Sequence, residues 1–136
     1  MWKKVVGLGV ILLAILMAGC TNEENVIKIG ALLDLSGPLS TYGIDIKNNL
    51  ELGKGDIENY FKKKNIPYKI EILTEDTKLD PNLALQKIQL LKGNKVNLFI
   101  GPMSSGEVKT VLPYTLSNKI IAVDEGDTAI ILLESV

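Results

Sequence analysis

Residues 26–43 read VIKIGALLDLSGPLSTYG, and this stretch decides the fold. Its first part is a short run of apolar and β-branched residues, and its second part is rich in serine, glycine and proline. A short apolar run that ends in turn-forming residues is typical of a strand followed by a loop. We therefore predict a first strand over 26–33 and a loop from Asp34 to Gly43.

The rest of the chain alternates between helical and extended patterns. Between residues 44 and 63, apolar residues recur at spacings of three and four, which predicts a helix with one apolar face. A second helix is predicted to begin at Pro81, because Asp80 can cap it and proline needs no amide donor there. The remaining predictions are strands over 68–73, 96–100 and 120–123, an end of the second helix at Gly93, and a third helix that ends near Leu116.

This alternation predicts an α/β fold with an open, doubly wound parallel sheet. Right-handed crossovers favour the strand order 2-1-3-4, which has a switch point between the first and third strands. In such sheets the ligand binds outside the carboxyl ends of the strands, at the switch point. We therefore expect three loops to converge on one site, namely those at 34–43, 101–106 and 124–128.

The composition limits the chemistry of that site. The chain has no histidine, which excludes Ser-His-Asp and Cys-His catalysis and all histidine metal ligands. Glycine and small polar residues fill the predicted loops, and they suit backbone contact with a ligand better than catalysis. The formal net charge is −1, so nothing attracts nucleic acid. We predict a binding protein without cofactor or metal, and the alternative is an enzyme that uses Ser104 or Ser105.

The N-terminal segment has the pattern of an export signal. Two lysines precede an uncharged apolar run over 5–17, which is shorter than the roughly 20 residues that a membrane-spanning helix needs. Residues 16–20 read LMAGC and resemble the lipobox of bacterial and archaeal lipoproteins. The resemblance implies a signal peptide over 1–19, acylation of Cys20, and a tether over 20–25 that holds the protein on the outer face of the cell membrane. An unmodified cysteine that ends an ordinary signal peptide is the alternative.

Several stretches follow one another in a characteristic order: 27–33, 36–38, 42–43, 75–76, 80–81, 101–105 and 120–128. Together they resemble the type I solute-binding proteins of branched-chain amino-acid ABC transporters. The resemblance covers residues 26–128. It implies an extracytoplasmic receptor that binds a small amino-acid-like solute and delivers it to an ABC transporter permease.

The resemblance also assigns roles to single residues. Ser105 falls where the family holds the α-carboxylate of the ligand with a serine hydroxyl and amide. Gly126 falls where a backbone carbonyl accepts from the α-ammonium, and Thr128 where a hydroxyl does similar work. Tyr42 falls where an aromatic ring lines the side-chain pocket, and a simple loop anchor is its alternative. Ser104 is a further ligand candidate, but it could equally cap the helix that follows it.

Two acidic features of the sequence lead to separate predictions. Asp76 is expected to fix its own turn or a neighbouring helix end and not to contact ligand. Asp124, Glu125 and Asp127 replace small residues and a proline of the family pattern, and they could disfavour a carboxylate ligand nearby. Metal binding by this cluster is an alternative, although the spaced ligands of a calcium loop are missing.

Family members are much longer than this chain and close two lobes around the ligand by a hinge. The resemblance ends near Thr128, so residues 26–136 are predicted to form only a truncated part of the first lobe. Because one lobe supplies half a site, we expect no amino-acid affinity tighter than millimolar. The alternative is a truncated or split-gene relic without binding activity of its own.

Overall fold

The computed structural model describes residues 25–123. Strands and helices alternate along this part of the chain, as the sequence predicts. The elements are β1 (Val26–Leu33), α1 (Ser40–Lys64), β2 (Lys69–Asp76), α2 (Pro81–Gly93), β3 (Leu98–Ile100), α3 (Ser105–Ser117) and β4 (Ile121–Val123). None of the helices within this range combines the length and the apolarity that a membrane span requires.

The four strands form one parallel sheet in the order β2-β1-β3-β4. The pair β1 and β2 is the longest, with partners from Val26 and Lys69 to Leu33 and Asp76. On its other side β1 pairs with β3, where Ile29 lies opposite Leu98. The predicted α/β class and the predicted strand order are both confirmed.

One face of the sheet is closed by α2 and α3. Leu32, Phe99 and Ala122 point to this face and are at most 4% exposed. They pack with apolar residues of the two helices, including Ile88 and Val111, in one continuous core. Successive side chains of a β-strand point to opposite faces of the sheet, so the neighbours of these residues in each strand point to the other face. Nine of the thirteen buried hydrophobic residues within the described range belong to this core.

The opposite face is covered in part. Helix α1 packs on β1 and β2, and between the helix and the sheet lies an apolar groove lined by Ile29, Leu50, Ile57, Ile72 and Ile100. On β4, Ile121 is 50% exposed and Val123 is 44% exposed. Within residues 25–123, this side of the sheet therefore lacks a helix over β4.

Some of the predicted starts and ends of helices and strands agree with the structure, and others differ from it. The predicted start of α2 is confirmed, because the Asp80 side chain accepts a hydrogen bond from the Leu83 amide and Pro81 is at the first helical position. Helix α1 begins at Ser40 and not at residue 44 as predicted. Strand β2 continues to Asp76, and β3 is shorter than predicted and begins at Leu98. The predicted signal peptide and residues 20–24 of the predicted tether lie outside the described residues.

Candidate functional site

The carboxyl ends of the strands bring two of the three predicted loops together, and the third, at 124–128, lies outside the described residues. The segment after β1 (residues 34–39, here the β1 loop) lies beside the segment after β3 (residues 101–104, here the β3 loop), because β1 and β3 are neighbours. The Asp34 amide donates to the Met103 sulfur at 3.1 Å. The Gly101 amide donates to the Val123 carbonyl at 2.8 Å, which joins the β3 loop to the end of β4. The switch point predicted for a ligand is therefore formed by these two loops and the end of β4.

Asp34 organises the β1 loop from inside. Its side chain is fully buried, and its two carboxylate oxygens accept hydrogen bonds from the amides of Gly37 and Leu39. The backbone of α1 also approaches this residue closely. A Cβ atom on Gly43 would lie 1.9 Å from the Asp34 carbonyl oxygen. The absence of a side chain at Gly43 is what lets the first turn of α1 rest on the loop.

Asp76 ties the β1 loop to the end of β2. Its Oδ1 accepts from the amides of Leu35 and Lys78 at 2.9 and 3.0 Å, and its Oδ2 accepts from the Ser36 hydroxyl at 2.5 Å. Burial acts to raise the pKa of Asp76, but these hydrogen bonds and the charge of Lys78 outweigh it and lower the pKa below its usual value. The geometry agrees with the expectation that Asp76 fixes its turn.

The β3 loop leads into α3 through an N-cap at Ser104. The Ser104 hydroxyl accepts from the Glu107 amide at 3.3 Å and donates to Glu107 Oε2 at 2.7 Å. Glu107 is fully buried, and its Oε1 has no hydrogen-bond partner within residues 25–123. The Gly101-Pro102 peptide bond is cis. The hydroxyl of Ser104 is thus already engaged by its own helix.

Ser105 and Gly106 offer free donors at this edge. They are the first two residues of α3, and both are exposed. Amides at the first positions of a helix have no partner within the helix, and they lie at the positive end of its dipole. No side-chain hydrogen bond within the described part of the chain occupies the Ser105 hydroxyl. These groups together are suited to an anion such as a carboxylate.

The other predicted site residues divide into two groups. Tyr42 lies in the first turn of α1, directly after the β1 loop, and is 66% exposed. It is therefore at the same edge of the sheet as Ser105. Gly126 and Thr128 lie outside the described residues, as does the acidic cluster at 124–127. Among residues 25–123, no three acidic or cysteine side chains are grouped as metal ligands would be.

Sequence reasoning missed two residues of this site. Asp34 was not singled out, although an aspartate directly before Ser-Gly-Pro is a common signal for a side chain that bonds its own loop. Glu107 was also missed, although Ser104 and Glu107 stand at the spacing of a capping box. What the pattern could not reveal is that both carboxylates are fully buried.

Comparisons with known proteins agree with this architecture. The family model described as periplasmic binding protein matches residues 26–131. The uncharacterized protein MJ1266 of Methanocaldococcus jannaschii is 43% identical over 126 residues, which is 85% of this chain and 30% of that protein. The chain belongs to the periplasmic binding protein family, whose members are substrate-binding proteins of transporters and not enzymes.

Two solved structures illustrate the likeness. An ABC-type branched-chain amino acid transporter protein from Rhodopseudomonas palustris is similar with a TM-score of 0.63 and 25% identity, over 76% of this chain and 28% of that one. The substrate-binding protein LivJ from Streptococcus pneumoniae, in complex with isoleucine, shares the fold with a TM-score of 0.64 and 22% identity, over 74% and 28%. The chain thus spans less than a third of the length of these relatives.

Proposed function

We propose that this chain forms one wall of an extracytoplasmic receptor for a small amino-acid-like solute, held at the membrane by acylated Cys20 and serving an ABC transporter permease. The observation that carries the proposal is the exposed start of α3, with Ser105 and Gly106, at the switch point of the sheet. Membership of the periplasmic binding protein family supports the solute class and the extracytoplasmic location.

In this proposal the α-carboxylate of the solute binds at the start of α3. The Ser105 hydroxyl and the Ser105 and Gly106 amides donate to its oxygens, and the helix dipole stabilises its charge. Ser104 contributes indirectly, because its hydroxyl is bonded to Glu107 and fixes the first turn. Ser105 is accordingly the main ligand residue of the described part of the chain.

The remaining roles come from the family resemblance. Gly126 would accept from the α-ammonium through its carbonyl, and Thr128 would assist through its hydroxyl. Tyr42 would pack its ring against the solute side chain, which its exposed position at the same edge allows. The carboxylates at 124–127 would favour the ammonium end of a zwitterion over its carboxylate end.

The affinity of such a wall is expected to be low. A closed site typically removes about 70–90% of a small ligand from water, whereas an open edge contacts one side of it. We therefore expect dissociation constants for amino acids no tighter than millimolar for this chain alone. Micromolar binding of isoleucine in a calorimetric titration would contradict this expectation.

The test is a titration of the full chain with isoleucine, with Ser105→Ala as the informative variant. Ser117→Ala is the matched control, because Ser117 lies at the other end of α3 and bonds the Pro113 carbonyl of its own helix. We expect Ser105→Ala to weaken binding by about tenfold, as for a lost hydrogen bond to a charged group, and Ser117→Ala to leave it unchanged. Equal effects of the two variants would refute the assigned role of Ser105.

A second candidate is a chain that binds no solute by itself. It is favoured by the exposure of Ile121 and Val123, because the α1 side of the sheet remains open over β4 within the described residues. Exposed apolar surface of this kind is typical of an interface that other structure covers. The absence of any saturable response to isoleucine, in a chain shown to be folded, would favour this candidate.

A further inference from the structure

We propose that Asp34 and Asp76 are positioning residues, which together hold the β1 loop in its binding shape before any ligand arrives. The role of the loop in binding rests on the proposed function. The hydrogen bonds that hold the loop do not depend on the identity of the ligand. Neither carboxylate is assigned to the ligand itself. Both act through hydrogen bonds to the loop.

Asp34 holds the loop from a buried position. Its carboxylate is fully buried, and a buried charge is costly unless hydrogen bonds satisfy it. The amides of Gly37 and Leu39 provide those bonds and, in doing so, close the loop around the side chain. Opening the loop would leave the Asp34 carboxylate buried without these donors. The closed shape of the β1 loop is therefore favoured in the absence of ligand.

Asp76 holds the beginning of the same loop from the end of β2. It stands at the end of β2 and accepts from the Leu35 amide and the Ser36 hydroxyl, so the first two residues of the loop are fixed to the neighbouring strand. The Lys78 amide bonds the same carboxylate and keeps it in place. The amides of Leu35, Gly37 and Leu39 thus all point into carboxylates of the protein and not toward a ligand.

Asp34 also connects the loop to the rest of the site. Its amide donates to the Met103 sulfur in the β3 loop. Its carbonyl lies directly against the backbone of Gly43 in α1. One residue therefore contacts the β1 loop, the first turn of α1 beside Tyr42, and the segment that leads to Ser105. A site assembled around one buried anchor loses little loop entropy when a ligand binds, and this lowers the cost of binding.

Hydrogen exchange measured by mass spectrometry on the ligand-free full chain in detergent tests this positioning role. The informative variants are Asp34→Asn, in which an amide group replaces one of two acceptors by a donor, and Asp76→Ala, which removes all acceptors, since an asparagine there could keep both amide bonds and donate to the Ser36 hydroxyl. Asp80→Ala is the matched control, because Asp80 also accepts from a backbone amide, but at the start of α2. We expect exchange in peptides over 35–39 to become at least tenfold faster in both informative variants and to stay unchanged in the control.

The outcomes separate positioning from general stability. Peptides of β1 and β3 should keep the exchange rates of the natural chain, since only the loop is released. Unchanged exchange over 35–39 in Asp76→Ala would overturn the proposal, and so would equal acceleration over the loop and the strands. If Asp34→Asn fails to fold, Ser36→Ala decides together with Asp76→Ala, because it removes one side-chain bond to Asp76 and should raise loop exchange about threefold.

A second measurement separates this inference from the proposed function. Isoleucine is titrated into the natural chain and into Asp76→Ala. If the loop is released but the natural chain binds no isoleucine, the proposed function fails while the loop geometry stands. If isoleucine binds both chains with equal affinity although the loop is released, the positioning role in binding is refuted. The proposal predicts binding that is at least threefold weaker in the variant.

Discussion

The β1 loop and the start of α3, which directly follows the β3 loop, lie at one edge of the sheet, but their backbone amides are used in opposite ways. In the β1 loop, the amides of Leu35, Gly37 and Leu39 donate to Asp76 and Asp34. At the start of α3, the amides of Ser105 and Gly106 have no partner within their helix and belong to exposed residues. Three amides of the β1 loop are thus bonded to the protein, whereas the first two amides of α3 are open.

This difference shows that glycine and serine content alone does not identify the ligand-binding loop. Both loops have the composition expected for close backbone contact with a ligand. The carboxylates decide the outcome, because the amides of Leu35, Gly37 and Leu39 are already bonded to the protein and are not available to an anion. The start of α3 has Ser104 as its cap, and this cap satisfies the third residue of the helix while leaving the first two open.

The largest predicted effect tests how α1 rests on the β1 loop. Gly43→Ala places a methyl group 1.9 Å from the Asp34 carbonyl, so the loop and the helix must separate. We expect a loss of about 2–3 kcal/mol in the free energy of unfolding, as for overpacking. Urea unfolding at neutral pH measures it. Gly53→Ala is the control on the same helix: its Cβ meets nothing within 4 Å, and it should stabilise by up to about 1 kcal/mol. A loss of stability in both variants would contradict the close contact at Gly43.

The next effect tests the N-cap of α3. Ser104→Ala removes the N-cap of α3 and the hydrogen-bond partner of the buried Glu107 carboxylate. We expect a cost of about 2 kcal/mol, which combines a lost cap with a buried acceptor left unsatisfied. The double variant Ser104→Ala with Glu107→Leu should lose less stability than Ser104→Ala, because it also removes the stranded carboxylate. Thermal unfolding of the single and double variants checks this order, and additive losses would disprove the coupling.

The smallest effect concerns acid and the β1 loop. Because the pKa of Asp76 is lowered in the folded chain, its ionised form stabilises the fold at pH values above the ordinary aspartate value of 3.8. This contribution decreases as the pH falls through the folded pKa, and it is absent below that pKa. The stability difference between the natural chain and Asp76→Asn should therefore be present at pH 6 and vanish in acid well below pH 4. Urea unfolding across this range measures it, and a difference that grows in acid would have the wrong sign.

Local signals in the sequence predicted much of the fold. Strand β1 and the start of α2 at Asp80 and Pro81 depend on neighbouring residues, and the strand order follows from the handedness of the crossovers. The start of α1 was placed too late because no side chain caps the helix. Its first turn is stabilised instead by the contact of Gly43 with Asp34, which is far from evident in the sequence.

The site was predicted in outline only. Its edge of the sheet and the place of Ser105 follow from the order of strands and loops. The burial of Asp34 and Glu107 could not be predicted, because it depends on how α1, α2 and α3 pack around the ends of the strands. Ser104 was open between ligand and cap at the level of sequence, and its two hydrogen bonds with Glu107 place it in the cap.

The central claim is that the start of α3, and not the β1 loop, receives the carboxylate of an amino-acid-like solute. The direct measurement is a nuclear magnetic resonance titration of the ¹⁵N-labelled chain with isoleucine and, in parallel, with isoleucinamide, which lacks the carboxylate. The account predicts that the amide resonances of Ser105 and Gly106 shift with isoleucine and not with isoleucinamide, while those of Gly37 and Leu39 respond to neither. Carboxylate-dependent shifts at Gly37 and Leu39, with none at Ser105 and Gly106, would contradict it.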